Sequence, residues 1–270
     1  MAIDNLSPTE DPVSDYLQKC AQILERVNAQ KTQIRTAASW FAEAILSGRM
    51  VHVFGSGHSR IMVEEMWPRY GSFPGFNPIV ELSLTFHNLV TGANGQRQAM
   101  FLENVPGLAE RILRNFDLST SDTALVISSS GTNIVPVEMA ELFQAKKIKV
   151  VGLLTEAHSL ESKSKRNDGK KLGDFADLVL DTGAPAGDSM VTVPGLHTPV
   201  SPGSTVGGAM LINAIKAETA RLLTEAGQPP KVLTAGCLVG NEQATTLFES
   251  AYDEHAHRMA RLFGSVGKNS

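Results

Sequence analysis

The stretch TALVISSSGTN, which runs from Thr123 to Asn133, combines a predicted buried strand with a hydroxyl-rich turn. Its first five residues are apolar or β-branched, which is typical of a strand in the middle of a parallel sheet. Pro136 then stands near the start of an apolar segment, as it does in the first turn of a helix. Gly131 and three serines lie between strand and helix, where hydroxyls and helix N–H groups point the same way. Because this turn holds no Lys or Arg, we expect it to bind a small phosphate group through neutral donors.

A second turn of the same kind follows a short predicted strand at Met50 to Phe54. The sequence Gly55-Ser-Gly-His-Ser59 leads from that strand into a predicted helix over about 60–70. A dinucleotide-binding fingerprint would need a third glycine where this chain has Arg60, so that interpretation is weak. If the two strands are neighbours in a parallel sheet, both turns meet in one crevice at its carboxyl edge.

The remainder of the chain alternates apolar strands with helical periods, which predicts an α/β protein. Helical spacing from Ser14 to Ile45 indicates one long helix, or two joined end to end at the polar residues 28–31. We predict a flexible arm over residues 1–12, a single domain over 13–230, and a C-terminal helix and tail over 231–270. The other predicted elements are helices at 107–116, 204–226 and 241–263, strands at 77–82, 149–154 and 175–181, an irregular connection at 71–104 and a solvated charged loop at 159–171.

Composition limits the classes of function that fit. The 270 residues are 42% hydrophobic and carry a formal net charge of −4, which offers no basic surface for nucleic acid. Cys20 and Cys237 lie far apart and match no zinc or disulfide pattern, which favours a reduced compartment. The chain has no apolar run of membrane-spanning length and no recognisable signal peptide at its start. We therefore predict a cytoplasmic protein that binds neither membrane nor nucleic acid.

Three motifs together resemble the sugar isomerase (SIS) domain family: Phe54-Gly-Ser-Gly-His-Ser59, Ser128-Ser-Ser-Gly-Thr-Asn133 and Ser201-Pro-Gly-Ser-Thr205. The resemblance extends from about Met50 to Ala226 and is closest to uncharacterised SIS proteins described as phosphoheptose isomerases. It implies a doubly wound parallel sheet flanked by helices, with a sugar phosphate as the ligand. It also implies a homodimer or higher homo-oligomer whose sites lie near the subunit interface, to which the long N-terminal helix would contribute.

The same resemblance assigns the phosphate-binding residues. Ser59, Ser128, Ser129 and Ser130 match the family positions that hold the phosphate, and Gly57, Thr132 and Asn133 complete the predicted set. The family often has Ser or Thr where this chain has Asn133, whose amide can still donate. Asp188 of the last loop can reach the sugar, and Ser204 and Thr205 either donate to the sugar or cap their helix.

Aldose–ketose isomerisation through an enediol needs a base to move a proton between adjacent carbons, and an acid at the oxygens. Glu64 and Glu65 lie about one and a half turns into the predicted helix, or about 7 Å from its start. Adjacent helical residues diverge by about 100°, so one of them faces the crevice, and we favour Glu65. The alternative is that both are solvated. His58 and His87 are the candidate acids, whereas His52 alternates with valines in a strand and is expected to be a core residue.

Phosphoheptose isomerases have an acidic residue further along this helix, where the present chain has Arg69, and no matching set of zinc ligands is found. We therefore predict neither metal nor organic cofactor. The leading hypothesis is a phosphosugar isomerase. A lyase or etherase acting on a sugar phosphate is the first alternative, because the same base can lead to elimination. The second is a sensor that only binds a sugar phosphate, although the residues before Met50 are too few for a DNA-binding region.

Overall fold

The computed structural model describes residues 9–85 and 96–264. Its sheet has five parallel strands in the order β2-β1-β3-β4-β5. Helices cover both faces of this sheet, as the sequence predicts for a doubly wound α/β fold. The strands are β1 (Val51–Gly55), β2 (Phe76–Ile79), β3 (Thr123–Ile127), β4 (Lys149–Leu154) and β5 (Leu178–Asp181).

The α-helices alternate with the strands through most of the chain. Short 3-10 turns occur at Gly57–Ser59, Leu82–Leu84, Leu172–Asp174 and Ala186–Asp188. The α-helices are α1 (Pro12–Ala29), α2 (Lys31–Leu46), α3 (Arg60–Met66), α4 (Gln96–Leu102), α5 (Leu108–Leu113), α6 (Ile134–Ala145), α7 (Glu156–Glu161), α8 (Ser204–Glu225), α9 (Gly236–Val239) and α10 (Asn241–Gly264).

The N-terminal helical segment is two helices, one of the two arrangements that the sequence allows. Asp11 begins α1 by accepting a hydrogen bond from the Ser14 backbone N–H at 3.0 Å. Gln30 separates α1 from α2, and its side chain donates to the Asp181 carbonyl at 2.8 Å while accepting from the Asp181 N–H at 2.8 Å. The break at the polar residues therefore ties the helical pair to the end of β5.

Two apolar cores lie on opposite faces of the sheet. Helices α1, α2, α3 and α8 cover one face, and α5 and α6 cover the other. On the first face α8 approaches the sheet so closely that a β-carbon on Gly207 would lie 1.9 Å from the Thr182 carbonyl oxygen. The absence of a side chain at Gly207 is therefore what allows α8 to pass over the end of β5.

Helix α10 packs on the rest of the molecule at several points along its length. Its residues Tyr252 and His255 stack beside Trp67 at the end of α3, with ring centroids 5.5 and 5.1 Å away. Arg258 donates to the backbone carbonyls of Ile45 and Arg49. These contacts join the C-terminal helix to elements of the predicted SIS region.

Several predicted boundaries differ from the structure. Helix α3 ends at Met66 rather than near residue 70, since Trp67 is extended and the next residue is Pro68. Strand β5 begins at Leu178 rather than at residue 175, since residues 175–177 form a turn that follows the 3-10 turn at Leu172–Asp174. The first eight residues of the predicted arm, the predicted tail after 264 and residues 86–95 of the irregular connection lie outside the described residues.

The amino edge of the sheet holds a buried polar cluster around Asp122. The carboxylate of Asp122 accepts from Arg49 Nε at 2.9 Å and Nη2 at 2.8 Å, and lies 3.2 Å from His52 Nε2. Asn77 Nδ2 contacts His52 Nδ1 at 3.0 Å, and since an amide nitrogen can only donate, the ring proton belongs on Nε2, towards Asp122. His52 is fully buried, so the prediction of a core histidine is confirmed.

This cluster makes stability depend on pH. Burial alone would raise the pKa of Asp122, but hydrogen bonds from His52 and Arg49 outweigh burial and lower the pKa to about 2. The unfolded chain has a value near 3.8, so the ionised carboxylate stabilises the fold above about pH 4 and this stabilisation is lost as pH falls towards 2. We expect the loss to be about 2 kcal/mol.

The variant Asp122→Asn tests this assignment. At pH 7 its free energy of unfolding in urea should fall by about 3 kcal/mol, because Arg49 then lacks its buried anionic partner. Between pH 4 and 2 the variant should lose less stability than the wild type does. Asp253→Asn, at an exposed position, is the matched control and should follow the wild type. Equal losses in the wild type and in Asp122→Asn over that pH range would contradict the assignment.

Candidate functional site

The two hydroxyl-rich turns are neighbours at the carboxyl edge of the sheet. Strands β1 and β3 pair directly, with Gly55 opposite Ile127, so Ser56 and Ser128 follow paired positions. The sheet continues from β1 to β2 on one side and from β3 to β4 on the other, which makes this the topological switch point. Ligands of open α/β sheets bind in the crevice at such a point. The two turns are therefore neighbours, and a crevice shared by both stays a prediction.

The turn after β1 is a tight 3-10 turn, Gly57–Ser59, in which the Ser59 N–H donates to the Ser56 carbonyl at 3.1 Å. Gly57 has φ of +55°, a left-handed conformation that favours glycine. A β-carbon on Gly55 would lie 2.8 Å from the Ser59 carbonyl oxygen. The two glycines thus allow Ser59 to fold back over the strand end at the start of α3.

The turn after β3 is fixed by its own hydroxyl groups. The Gly131 N–H donates to Ser128 Oγ at 3.2 Å, and Ser130 Oγ lies 2.9 Å from Thr132 Oγ1. Ser129 Oγ is 3.4 Å from Thr155 Oγ1, which follows β4. Ser128 and Thr132 are buried, and Ser129 and Ser130 are half-buried. The turn is therefore organised before any ligand arrives.

A buried carboxylate, Glu103, joins the two turns. Its Oε2 accepts from Ser56 Oγ at 2.7 Å and its Oε1 accepts from Asn133 Nδ2 at 2.7 Å. Its backbone carbonyl accepts from the Val135 N–H in the first turn of α6 at 2.9 Å. Only 7% of Glu103 is exposed. A titratable group thus links Ser56 of the turn after β1 to Asn133 of the turn after β3.

The environment of Glu103 favours its neutral form more than water does. Burial raises the pKa of this carboxyl, and the hydrogen bond from Ser56 and the charge of Lys165 offset that effect in part. Lys165 Nζ donates to Asn133 Oδ1 at 2.6 Å, so Asn133 stands between the cation and the carboxylate. A carboxyl with a raised pKa in a crevice is suited to general acid–base chemistry.

The comparisons with known proteins agree with this architecture. The family model described as SIS domain matches residues 15–155, which is more than half of the chain. The chain belongs to the SIS domain family. This membership confirms the resemblance that the sequence motifs indicate.

Relatives of this SIS domain match along most of their length. The UPF0309 protein GK1441 of Geobacillus kaustophilus is 30% identical, over 90% of this chain and 94% of the relative. The UPF0309 protein BH3325 of Halalkalibacterium halodurans is 32% identical, over 84% and 92%. A phosphoheptose isomerase from Francisella tularensis has a similar fold, with a TM-score of 0.51, 14% identity, and coverage of 77% of this chain and 96% of that one.

Glu64 and Glu65, the glutamates of α3, have partners different from those of Glu103. Glu65 forms an ion pair with Arg69 at 2.5 Å, and its Oε1 accepts from Asn213 of α8 at 2.7 Å. Burial would raise the pKa of Glu65, but these two hydrogen bonds lower it on balance. Glu64 is exposed and pairs with Arg60 at 2.7 Å. The role of base that the sequence suggests for Glu65 stays a prediction, and these partners make it a weaker base than Glu103.

The three predicted sugar-binding residues lie at the start of α8. Asp188 Oδ1 accepts from the N–H groups of Gly203 and Ser204, and its Oδ2 accepts from Ser204 Oγ at 2.6 Å. Asp188 therefore holds the beginning of the helix, whose N-cap residue is Gly203 without a capping side-chain hydrogen bond. A role for Asp188, Ser204 or Thr205 in binding sugar stays a prediction.

The remaining candidates have mixed outcomes. His58 is exposed at the turn after β1, whereas His87 lies outside the described residues. The Asn133 amide donates one N–H to Glu103 and accepts from Lys165 through its oxygen, so a contact with phosphate would use the second N–H. Within residues 9–85 and 96–264, no group of three or more His, Cys, Asp or Glu side chains is arranged to hold a metal ion. No helix in the same ranges is long and apolar enough to cross a membrane.

A cavity of about 650 Å³ opens elsewhere, between α1, α7 and the segment after β5. Lys19, Arg26 and His158 line it, and none of the predicted phosphate-binding serines does. Lys19 and Arg26 donate to the backbone carbonyls of Met190 and Gly183, so they hold its wall together. The site is therefore assigned from the chemistry of the two turns rather than from cavity size.

Sequence reasoning missed Glu103 and Lys165. Glu103 lies in the segment 71–104, which the sequence predicts to be irregular and in which the structure has helix α4 directly before Glu103. Lys165 belongs to the charged stretch 159–171, which was predicted to be solvated. Its side chain is exposed, as the sequence predicts, while its backbone N–H donates to the Thr132 carbonyl at 3.2 Å. The sequence marks Glu103 and Lys165 only by their position, since each lies in a polar segment close to a predicted site element.

Proposed function

We propose that this SIS protein binds a sugar phosphate at the turns after β1 and β3 and isomerises it between aldose and ketose through an enediol. The observation that carries the proposal is the position of Glu103, a buried carboxyl with a raised pKa bridging both turns. Proton transfer requires a titratable group at the site, whereas a sensor that only binds ligand does not. The Francisella tularensis protein of similar fold is a phosphoheptose isomerase, which guides the choice of ligands to test.

In this proposal the phosphate is held by neutral donors. Ser59 and the serines Ser128, Ser129 and Ser130 offer hydroxyls from two neighbouring turns, and the first turn of α3 adds the positive end of a helix dipole. The hydroxyl contacts within the β3 turn keep it in place, so little ordering is needed when the phosphate binds. The phosphate fixes the sugar carbons relative to Glu103.

Glu103 acts as the base in this mechanism. In its ionised form it takes the proton from the carbon next to the carbonyl, which gives the enediol, and it returns the proton to the neighbouring carbon. His58, exposed in the turn after β1, is the candidate group that gives a proton to the carbonyl oxygen and takes one back from the neighbouring hydroxyl. Since the raised pKa lets Glu103 hold a proton as well as release it, elimination of a substituent by a lyase is the second candidate function.

We also propose that the protein is a homodimer formed through α1. Val13, Leu17 and Leu24 are 68%, 63% and 54% exposed, although all three are large and apolar. Their spacing of four and seven residues places them within about 40° of one another on the helix. Such a stripe is self-complementary across a two-fold axis, so a second copy of the chain can cover it.

Phosphate binding is testable by thermal shift. Heptose phosphates and hexose phosphates should raise the melting temperature, and the rise should grow as the ligand concentration exceeds the dissociation constant. The unphosphorylated sugars should not raise it. Ser59→Ala should weaken this binding by about tenfold, the effect of one lost hydrogen bond to a charged group. Ser121→Ala, an exposed serine at the amino edge, is the matched control. Stabilisation by free sugars but by no phosphosugar would contradict the assignment.

The role of Glu103 is testable by proton exchange. The variant Glu103→Gln should slow exchange of the substrate C2 proton into heavy water by roughly 10²- to 10⁴-fold, the usual contribution of a general base. Thermal stabilisation by the phosphosugar should remain. Glu65→Gln is the comparison variant and should keep most of the exchange. If Glu65→Gln abolishes exchange while Glu103→Gln does not, the base is on α3.

The proposed dimer can be checked by analytical ultracentrifugation. Leu17→Glu should convert the dimer to a monomer, because two copies would bring like charges together on a two-fold axis. Leu238→Glu makes the same change at a residue that is 79% exposed on α9, and should leave the dimer intact. A wild-type protein that sediments as a monomer at micromolar concentration would end this proposal.

A further inference from the structure

Asn133 links a cation to the crevice carboxylate. Lys165 Nζ donates to Asn133 Oδ1 at 2.6 Å, and Asn133 Nδ2 donates to Glu103 Oε1 at 2.7 Å. Lys165 itself is exposed, whereas only 7% of Glu103 is exposed. A charge in solvent thus connects with a buried titratable group through one amide.

The two ends of an amide are not equivalent, and the partners decide which way it faces. A lysine ammonium has three donors and no acceptor, so only the amide oxygen can face it. The amide nitrogen must then face Glu103, where it can donate only to an oxygen that accepts. Were the amide reversed, its oxygen would face Glu103 and would require a protonated carboxyl as donor. The orientation of Asn133 therefore stabilises the ionised form of Glu103 relative to the neutral form, whose carbonyl oxygen is a weaker acceptor.

The charged stretch holds Lys165 in position for this role. The Lys165 N–H donates to the Thr132 carbonyl at 3.2 Å, which places the stretch against the β3 turn. The next residue, Arg166, forms ion pairs with Glu141 of α6 and with Asp168, both at 2.6 Å. Ser164 Oγ donates to the Lys170 carbonyl at 2.6 Å. The stretch is thus fastened to α6 and to the β3 turn around Lys165.

We propose that Lys165 is a positioning residue for Glu103, and that it acts by locking the Asn133 amide as a donor to the carboxylate. The catalytic importance of Lys165 rests on the proposed function. Its effect on the Glu103 pKa does not, and can be measured in the protein without ligand. The groups that hydrogen-bond to the Glu103 carboxyl are Ser56 from the β1 turn and Asn133 from the β3 turn, while the Val135 N–H of α6 holds the Glu103 backbone carbonyl. Among the described residues, Lys165 is the charged group that acts on its titration.

The experiment is a titration of the Glu103 carboxyl by carbon-13 NMR in the ligand-free full chain. The signal is assigned by its absence in Glu103→Gln. Lys165→Met should raise the Glu103 pKa by up to about one unit, because the locked donor and the cation both favour the charged form. Lys165→Arg, which keeps the donor and the charge, should leave the pKa near the wild-type value. Lys163→Met is the matched control, since it removes an exposed charge two residues away.

A double-mutant cycle separates the amide from simple attraction through space. If the amide carries the effect, Lys165→Met should shift the Glu103 pKa by less than half as much in an Asn133→Ala background. A full shift in that background would overturn the inference, and so would no shift in Lys165→Met alone. A shift of the same size in Lys163→Met would also overturn it.

The proposed function fails by a different route. In the wild type, the acid limb of the C2 exchange profile should follow the Glu103 pKa and should move with it in Lys165→Met. If no phosphosugar undergoes exchange or binds, the proposed function is wrong while the NMR cycle still decides the role of Lys165. If exchange occurs but its profile and the Glu103 pKa are unchanged in Lys165→Met, the positioning role is wrong and the isomerase stands.

Discussion

One buried carboxylate with neutral partners holds the candidate site together. Glu103 contacts the β1 turn through Ser56, the β3 turn through Asn133, and the first turn of α6 through its backbone carbonyl. Removing a carboxylate from water is costly, and neutral hydrogen bonds compensate for this only in part. The fold thus keeps a group in the crevice whose proton is bound more tightly than in water. The strand order matters for the same reason, since it brings the two turns close enough for a single side chain to span them.

The sequence predicts the local elements of this site and not the contacts between them. The run from Thr123 to Asn133 contains its strand, its turn and the start of its helix, because each depends on near neighbours along the chain. Glu103 reaches Ser56 across 47 residues and Asn133 across 30, from a segment without periodicity. Nothing in the local pattern marks it as inward-facing.

The helix glutamates show where spacing arguments stop. The rise of a helix places Glu65 at a computable distance from the start of α3, but it does not say which neighbour that face meets. The structure packs α3 against α8, and Asn213, 148 residues away, occupies Glu65 Oε1. The ion pair with Arg69 then completes a surface network in which the carboxylate is stabilised rather than made reactive.

Two buried carboxylates on opposite edges of one sheet show how partners decide their use. Asp122 faces Arg49 and His52, and these partners lower its pKa to about 2, so it is ionised throughout the neutral range and serves stability. Glu103 faces a hydroxyl and an amide, and Lys165 lies on the far side of that amide. The pKa of Glu103 is raised. Direct pairing with a cation would have made Glu103 a structural anion like Asp122. Placing an amide between Lys165 and Glu103 keeps the carboxylate oriented yet able to exchange a proton, which is the condition that general base catalysis sets.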